Sequence, residues 1–129
     1  MAALNFKTMA EGGEAQWDLQ APGTQDRGAD LRATLSDLAD AWSADGAKAE
    51  AAGMAVPEFA IHGWDLAQAI GADASGLDDG VAERAHEFMK SQLTDDQRGP
   101  SFGKEQQAPE GASALDALAA FSGRSVGKS

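Results

Sequence analysis

The hydrophobic positions of this chain recur at helical spacing in segments that glycine, proline and aspartate separate. The first strong pattern spans residues 26–44, and its apolar positions are Leu31, Leu35, Leu38 and Trp42. Steps of four, three and four residues place these side chains on one face of a helix. Gly46 follows as a stop signal.

A second helical pattern runs from Pro57 to Ile70. Proline is tolerated in the first turn of a helix, where its missing N–H would have no partner. The pattern therefore predicts a helix that begins at Pro57 and ends before Gly71. Its apolar seam consists of Phe59, Leu66 and Ile70, with the small Gly63 between them.

Two shorter helices are predicted in the carboxy-terminal half. Asp78 and Asp79 favour a helix start there through capping and the helix dipole, and this helix extends to about residue 93. Its predicted inward face contains Val81, Ala85, Phe88, Met89 and Gln92. Ser113 is a predicted N-cap, with Asp116 three residues later as in a capping box. The inward residues of this last helix are Leu115, Leu118 and Phe121.

The remaining segments are rich in turn-forming residues. Residues 1–10 are compatible with the end of a helix, and residues 14–25 read as a loop in which Trp17 tucks against the protein. We assign residues 1–25 as an irregular amino-terminal arm and residues 94–112 as an extended loop anchored by Phe102. Sustained apolar–polar alternation is absent from the sequence. The 129 residues are thus predicted to form one all-α domain, residues 1–129.

Composition narrows the classes of partner. Ten basic and 21 acidic residues give a net charge of −11, which disfavours nucleic acids and anionic membranes as partners. The simplest interpretation of this charge is a solvated acidic surface. The sequence contains no cysteine, which excludes disulfides, thiolate nucleophiles and cysteine-based zinc sites. Since no apolar run reaches membrane-spanning length and no signal-peptide pattern occurs, we expect a cytoplasmic protein.

The candidate chemistry lies on the helix that follows Pro57. Glu58 and His62 are four residues apart, and Asp65 follows three residues later, so all three share one helical face. Carboxylate oxygen and imidazole nitrogen are ligands of divalent cations such as Zn²⁺. Glu58 and His62 are therefore candidate metal ligands, and Asp65 is a candidate to hold the other imidazole N–H.

A simpler interpretation stays open at this point. A glutamate and a histidine at this spacing commonly form a surface hydrogen bond, and a catalytic zinc site usually has three protein ligands rather than two. Trp64 fits either a ligand-stacking role or the core. Gly63 fits close approach of another helix, and His86 is interpreted as a surface residue.

Three segments resemble one known family. EFAIHGWDLAQAIG, which contains Glu58 and His62, is similar to the E-x-x-x-H-G-W-D-L-A-x-A-x-G segment of an actinobacterial family of DinB-like metal-binding proteins. RGPSFG, residues 98–103, is similar to that family's R-G-x-x-F-G turn. ALDALAAFSGR, residues 114–124, resembles its closing D-x-L-x-A-F-x-G-R helix. The resemblance covers about residues 30–125, and the family is related to the mycothiol-dependent maleylpyruvate isomerases.

The resemblance implies a DinB-like helical bundle with a divalent metal, zinc or nickel, on three protein ligands. Glu58 and His62 occupy two of the ligand positions. Enzymes of this group use a low-molecular-weight thiol on small electrophilic substrates, whereas many members have no established activity. The chain departs from the pattern because no histidine precedes His62 to supply the third ligand, and one amino-terminal helix of the family is missing.

Three explanations of this departure are open: a truncated chain, a second subunit that supplies the missing part, or a member without metal. We expect a homodimer or a higher oligomer, because an exposed apolar seam on the first strong helix would favour association. The leading hypothesis is a metal-binding, thiol-dependent isomerase or transferase in which Asp65 orients His62. Trp64 and Arg98 would line the approach of the substrate. The alternative is a non-enzymatic helical module that binds a small ligand or a protein without metal.

Overall fold

The computed structural model of the chain describes residues 2–16, 27–44, 46, 50–100 and 102–127. Within these ranges the protein is all-helical, as predicted, and no strand occurs among them. The elements are α1 (Ala2–Ala10), α2 (Arg27–Ser43), α3 (Glu50–Ile70), α4 (Asp79–Gln92), a 3₁₀ turn (Asp95–Gln97) and α5 (Ala114–Phe121). The predicted position of Trp17 lies outside the described residues.

The chain divides into two compact units, one up to Ala55 and one from Val56 onward. That the 129 residues form one domain stays a prediction. In the first unit α1 packs against α2, and the buried side chains include Phe6, Ala10 and Leu38. Helix Ala2–Ala10 agrees with the interpretation of residues 1–10 as the end of a helix and differs from their assignment to an irregular arm.

The return of the chain after α1 is held by one buried side chain. The Asn5 amide donates to the Gln16 carbonyl oxygen at 3.2 Å, and the Gln16 N–H donates to Asn5 Oδ1 at 3.0 Å. This pair satisfies the polar groups of a buried asparagine. On α2, Leu38 is buried, but Leu31 and Leu35 are exposed, so the predicted inward face is only partly covered.

Helix α3 begins at Glu50, seven residues before the predicted start, and Pro57 lies inside it. The prediction was wrong because it treated the proline as a start signal. The preceding segment, EAAGMAV, contains several alanines, which have the highest helix propensity. Pro57 has no N–H to donate to the carbonyl of Gly53, and the boundary between the two units falls two residues before this proline.

The second unit contains one core cluster, built mainly from three helices. From α3 it takes Ala60, Ile61 and Trp64; from α4, Ala82, Ala85 and Met89; and from α5, Leu115, Leu118, Ala119 and Phe121. The predicted face of α5 is confirmed. The predicted face of α4 is partly wrong, since Val81 and Gln92 are exposed and Ala82 is buried. The small side chains of Ala82 and Ala85 fit the packing of α4 against α5.

Capping explains where the last two helices begin. Asp78 is the N-cap of α4 and its carboxylate accepts from the Val81 N–H at 3.3 Å. Ser113 is the N-cap of α5 and its hydroxyl accepts from the Asp116 N–H at 3.1 Å. Both caps agree with the sequence signals, because they satisfy backbone donors that have no partner within the helix. Between these helices, Phe102 packs against the core cluster.

Candidate functional site

Helix α3 brings the three predicted side chains together. Glu58 Oε1 lies 3.2 Å from His62 Nε2, and Asp65 Oδ2 lies 3.4 Å from His62 Nδ1. Each ring nitrogen therefore faces a different carboxylate. The His62 side chain is 61 % exposed, so the group is open to solvent. This arrangement follows from helical spacing, which aligns residues three and four positions apart.

Arg124 holds the Asp65 carboxylate in place beside His62. Arg124 Nε donates to Asp65 Oδ1 at 3.1 Å, and Arg124 Nη2 donates to Asp65 Oδ2 at 2.9 Å. These two bonds form the paired geometry in which a guanidinium binds a carboxylate most strongly. The hydrogen bonds from Arg124 hold the pKa of Asp65 below its ordinary value. Partial burial raises this pKa, whereas the charge of Arg124 and the neighbouring His62 lower it further. Asp65 is thus ionised and fixed beside the imidazole.

The turn after α5 positions Arg124. Gly123 adopts a φ of +93°, and a Cβ placed on it would lie 2.6 Å from the backbone of Gly103. Only glycine fits both this backbone conformation and this close approach. The turn also directs the Arg124 guanidinium toward the Phe102 ring, whose centroid lies 6.0 Å away. The segments 98–103 and 114–124 therefore meet at this pair of glycines, and Arg124 links them to α3 through Asp65.

Arg98 has a different environment from the one predicted. Its side chain is buried, and its Nη1 donates to the carbonyl oxygens of Gly103 and Phe121, both at 2.8 Å. The guanidinium also lies 4.8 Å from the centroid of the Phe121 ring. These contacts hold the loop against the end of α5, and the predicted place of Arg98 beside a substrate stays a prediction.

Trp64 belongs to the core and still reaches a polar partner. Its ring is buried, and its Nε1 donates to Asp116 Oδ1 at 2.9 Å. Trp64 also lines a crevice of about 310 Å³ together with Phe59, Gly63, Ala67, Leu77 and Leu115. This volume is at the small end of the range for ligand pockets. Two of its lining residues, Phe59 and Gly63, directly follow Glu58 and His62 in the sequence.

Gly63 does not make the close helix contact that the sequence suggested. A Cβ at this position would have no atom within 4 Å among the described residues. The predicted packing against another helix is therefore wrong within this part of the chain. Gly63 instead leaves open space beside His62.

His86 lies apart from this group, and its predicted surface position is only partly correct. The side chain is half-buried, its ring centroid lies 5.0 Å from that of Phe121, and its Nε2 is buried with no hydrogen-bond partner among the described residues. Burial lowers the pKa of His86, and the nearby Lys90 lowers it further, against an opposing effect of Glu105. These features indicate a neutral imidazole in a packing role.

The positions of Glu58 and His62 can be compared with the geometry that a metal ion requires. Two donors that bind one tetrahedral zinc at its usual bond lengths lie about 3.3 Å apart. The measured separation of 3.2 Å suits two adjacent ligands of one ion. A proton on His62 Nδ1 would face Asp65 and leave the Nε2 lone pair for the metal. The same separation also suits a hydrogen bond between the two side chains.

The third ligand is not found within the described ranges. No group of three histidine, cysteine, aspartate or glutamate side chains there is arranged to hold a metal ion. Asp65 does not fill the position, because it faces the opposite ring nitrogen and is paired with Arg124. The described residues thus offer two protein ligands and one supporting carboxylate.

Sequence reasoning found the local members of this group and missed Arg124. The arginine directly follows Gly123, and a charge beside a turn-forming glycine was the available signal. No family model, no curated protein and no solved structure matches the chain. Among the described residues, no helix is long and apolar enough to cross a membrane.

Proposed function

We propose that this chain is a divalent-metal-binding helical protein of the DinB-like type, with Glu58 and His62 as metal ligands. The observation that carries the proposal is the 3.2 Å separation of Glu58 Oε1 and His62 Nε2, combined with Asp65 at the other ring nitrogen. Metal-bound histidines characteristically donate their second N–H to a carboxylate. Arg124 fixes that carboxylate through two hydrogen bonds.

The resemblance favours zinc or nickel, and both accept imidazole and carboxylate ligands. A bound ion would supply Lewis-acid activation of a thiol or a carbonyl group. The chain's own contribution is orientation, because Asp65 lies beside the imidazole and is itself held by Arg124. The family resemblance is what supports a thiol-dependent isomerase or transferase as the activity of the site.

The experiment is a metal titration followed by NMR. The chain has two histidines, so the imidazole signals come from two residues and His86 serves as an internal reference. Zinc added to metal-free protein is expected to shift the His62 signals and leave those of His86 in place. Glu58→Gln and His62→Ala should abolish binding, and Asp65→Ala should weaken it about 10–100-fold.

The control is Glu87→Gln, which removes an exposed glutamate from α4. It should bind zinc as the unaltered protein does. Equal zinc affinity in His62→Ala and the unaltered protein would refute the metal assignment.

A second candidate function is a metal-free interaction module. Leu66 and Ile70 on α3 are 61 % and 67 % exposed, and exposed apolar side chains that lie together are typical of contact surfaces. Complete absence of zinc and nickel binding in the titration would favour this alternative.

A further inference from the structure

The candidate ligands lie on a stripe of helix α3 that has no covering element within the second unit. Glu58, His62, Leu66 and Ile70 follow one another at steps of four residues, so each contacts the next, and the row turns about 40° around the helix at each step. His62, Leu66 and Ile70 are each more than three-fifths exposed, and Glu58 is partly exposed. Donor groups and apolar side chains thus adjoin on one accessible surface.

The space beside this stripe is open to a second helix. A Cβ at Gly63 would meet no atom within 4 Å among the described residues, so the backbone of α3 is uncovered next to His62. Glycine at such a position allows another helix to approach closely, because no side chain separates the two backbones. The surface therefore suits a helix as its occupant.

The number of metal ligands indicates that the helix covering this surface is α3 of a second copy of the chain. One chain offers two donors, and within the described ranges no third metal-ligating side chain joins them. A twofold axis beside Glu58 and His62 would bring the same two donors from a second copy. The resulting four ligands, two imidazoles and two carboxylates, match the closed coordination of a structural zinc site.

Charge makes this assembly depend on the cation. Each copy carries a net charge of −11, and a twofold contact would place two Glu58 carboxylates close together, which is repulsive without a counterion. The two apolar side chains supply only a fraction of the roughly 800 Å² per partner of a standard interface. A bridging cation removes the repulsion and adds metal–ligand bonds to a contact too small to persist by itself.

We propose that two copies of this chain share one divalent metal ion through Glu58 and His62 of each copy, with Leu66 and Ile70 packed at the contact, and that the dimer forms only when the metal is bound. This inference rests on the metal ligands of the proposed function and not on its activity, because four protein ligands leave zinc no open position for a substrate. It adds that the complete site belongs to the dimer and that Asp65 and Arg124 of each copy orient the histidine toward the shared ion.

The experiment combines light scattering after size exclusion with elemental analysis, on untagged full-length protein with and without zinc. The expected result is a monomer without zinc, and a doubled mass with one zinc per two chains when zinc is present. His62→Ala should remain a monomer and bind no zinc. Leu66→Asp should lower the dimer fraction at a given zinc and protein concentration at least tenfold.

The matched control is Val81→Asp, which places the same charge on an exposed apolar residue of α4. It should dimerise with zinc as the unaltered chain does. Circular dichroism of each variant establishes that helix content is retained.

Other results overturn the inference in distinguishable ways. A monomer with one zinc per chain would refute the shared site and leave the proposed function standing. No zinc binding at all would refute the proposed function. A dimer that forms without zinc and persists in His62→Ala would refute the metal bridge.

Discussion

The ion pair between Asp65 and Arg124 provides the most direct quantitative test of how the site is held. The two hydrogen bonds measure 2.9 and 3.1 Å, and the side chains are 35 % and 19 % exposed. Fully exposed ion pairs contribute about 0.2–1 kcal/mol, whereas hydrogen bonds to charged groups contribute about 1.5–3 kcal/mol. Since Asp65 is partly solvated, the larger value must be reduced. We expect a coupling free energy of about 1 kcal/mol.

A double-mutant cycle isolates this coupling. The variants are Asp65→Ala, Arg124→Ala and the two together, and the measurement is urea unfolding at pH 7 followed by tryptophan fluorescence. Arg124 also bonds the Ser122 carbonyl and approaches Phe102. The free energies of these contacts cancel in the cycle, because Arg124→Ala loses them whether or not Asp65 is present. A coupling below about 0.3 kcal/mol would refute the argument.

The pH dependence gives an independent check. The pKa of Asp65 in the folded protein is lowered, chiefly by hydrogen bonds from Arg124, below the value of about 3.9 found in unfolded chains. The stabilisation is therefore fully present above that unfolded value and is lost as the pH falls through the lower, folded pKa. In a carbon-detected NMR titration, Arg124→Ala should raise the pKa of Asp65. Asp73, whose pKa is lowered by its local bonds to Ser75, should titrate unchanged.

Three further predictions concern the core and the helices. Leu118→Ala should lower the free energy of unfolding by about 2–5 kcal/mol, because Leu118 is fully buried. Leu66→Ala in the metal-free protein should change it by less than about 0.5 kcal/mol, and similar losses for both variants in urea unfolding would contradict the burial pattern. Gly63→Ala should raise the metal-free protein's stability by about 0.5–1 kcal/mol through helix propensity, since the added methyl meets no described atom; a lower melting temperature would show that the position is not open. The imidazole of His86 should titrate in NMR below its ordinary pKa of 6.5. Because the pKa of His86 is lower in the folded than in the unfolded protein, the free energy of unfolding should fall as the pH drops from the unfolded pKa toward the folded one. That slope should be absent in His86→Gln.

The local features of the fold were predictable because their causes are local. The N-caps Asp78 and Ser113 each bond a backbone N–H three residues later, so a short window of sequence contains the whole interaction. The start of α3 was missed for the opposite reason. A proline is compatible with a first turn and also with a helix interior that tolerates one missing hydrogen bond, and the alanines before Pro57 decided between the two.

The buried faces were only partly predictable. Helical periodicity identifies which residues share a stripe, but a neighbouring helix determines which stripe is covered. On α4 the pattern favoured the larger side chains, including Val81, although the structure buries Ala82 and Ala85. On α2 only Leu38 of the three predicted leucines is buried, because coverage depends on contacts with α1 that no local pattern encodes.

The candidate site also combines local features, which the sequence predicts, with one long-range contact, which it does not. Glu58, His62 and Asp65 could be grouped from spacing alone, as on any helix with these residues. Spacing could not show that Arg124, 59 residues away from Asp65, would bind that carboxylate. An isolated exposed pair of Glu58 and His62 would lose side-chain entropy on binding a metal, whereas a carboxylate fixed by a guanidinium limits the orientations of the imidazole beforehand. The long-range contact is therefore the feature that separates an ordinary helix-surface pair from a positioned pair of donors, and it is the contact whose loss should weaken metal binding without removing a ligand.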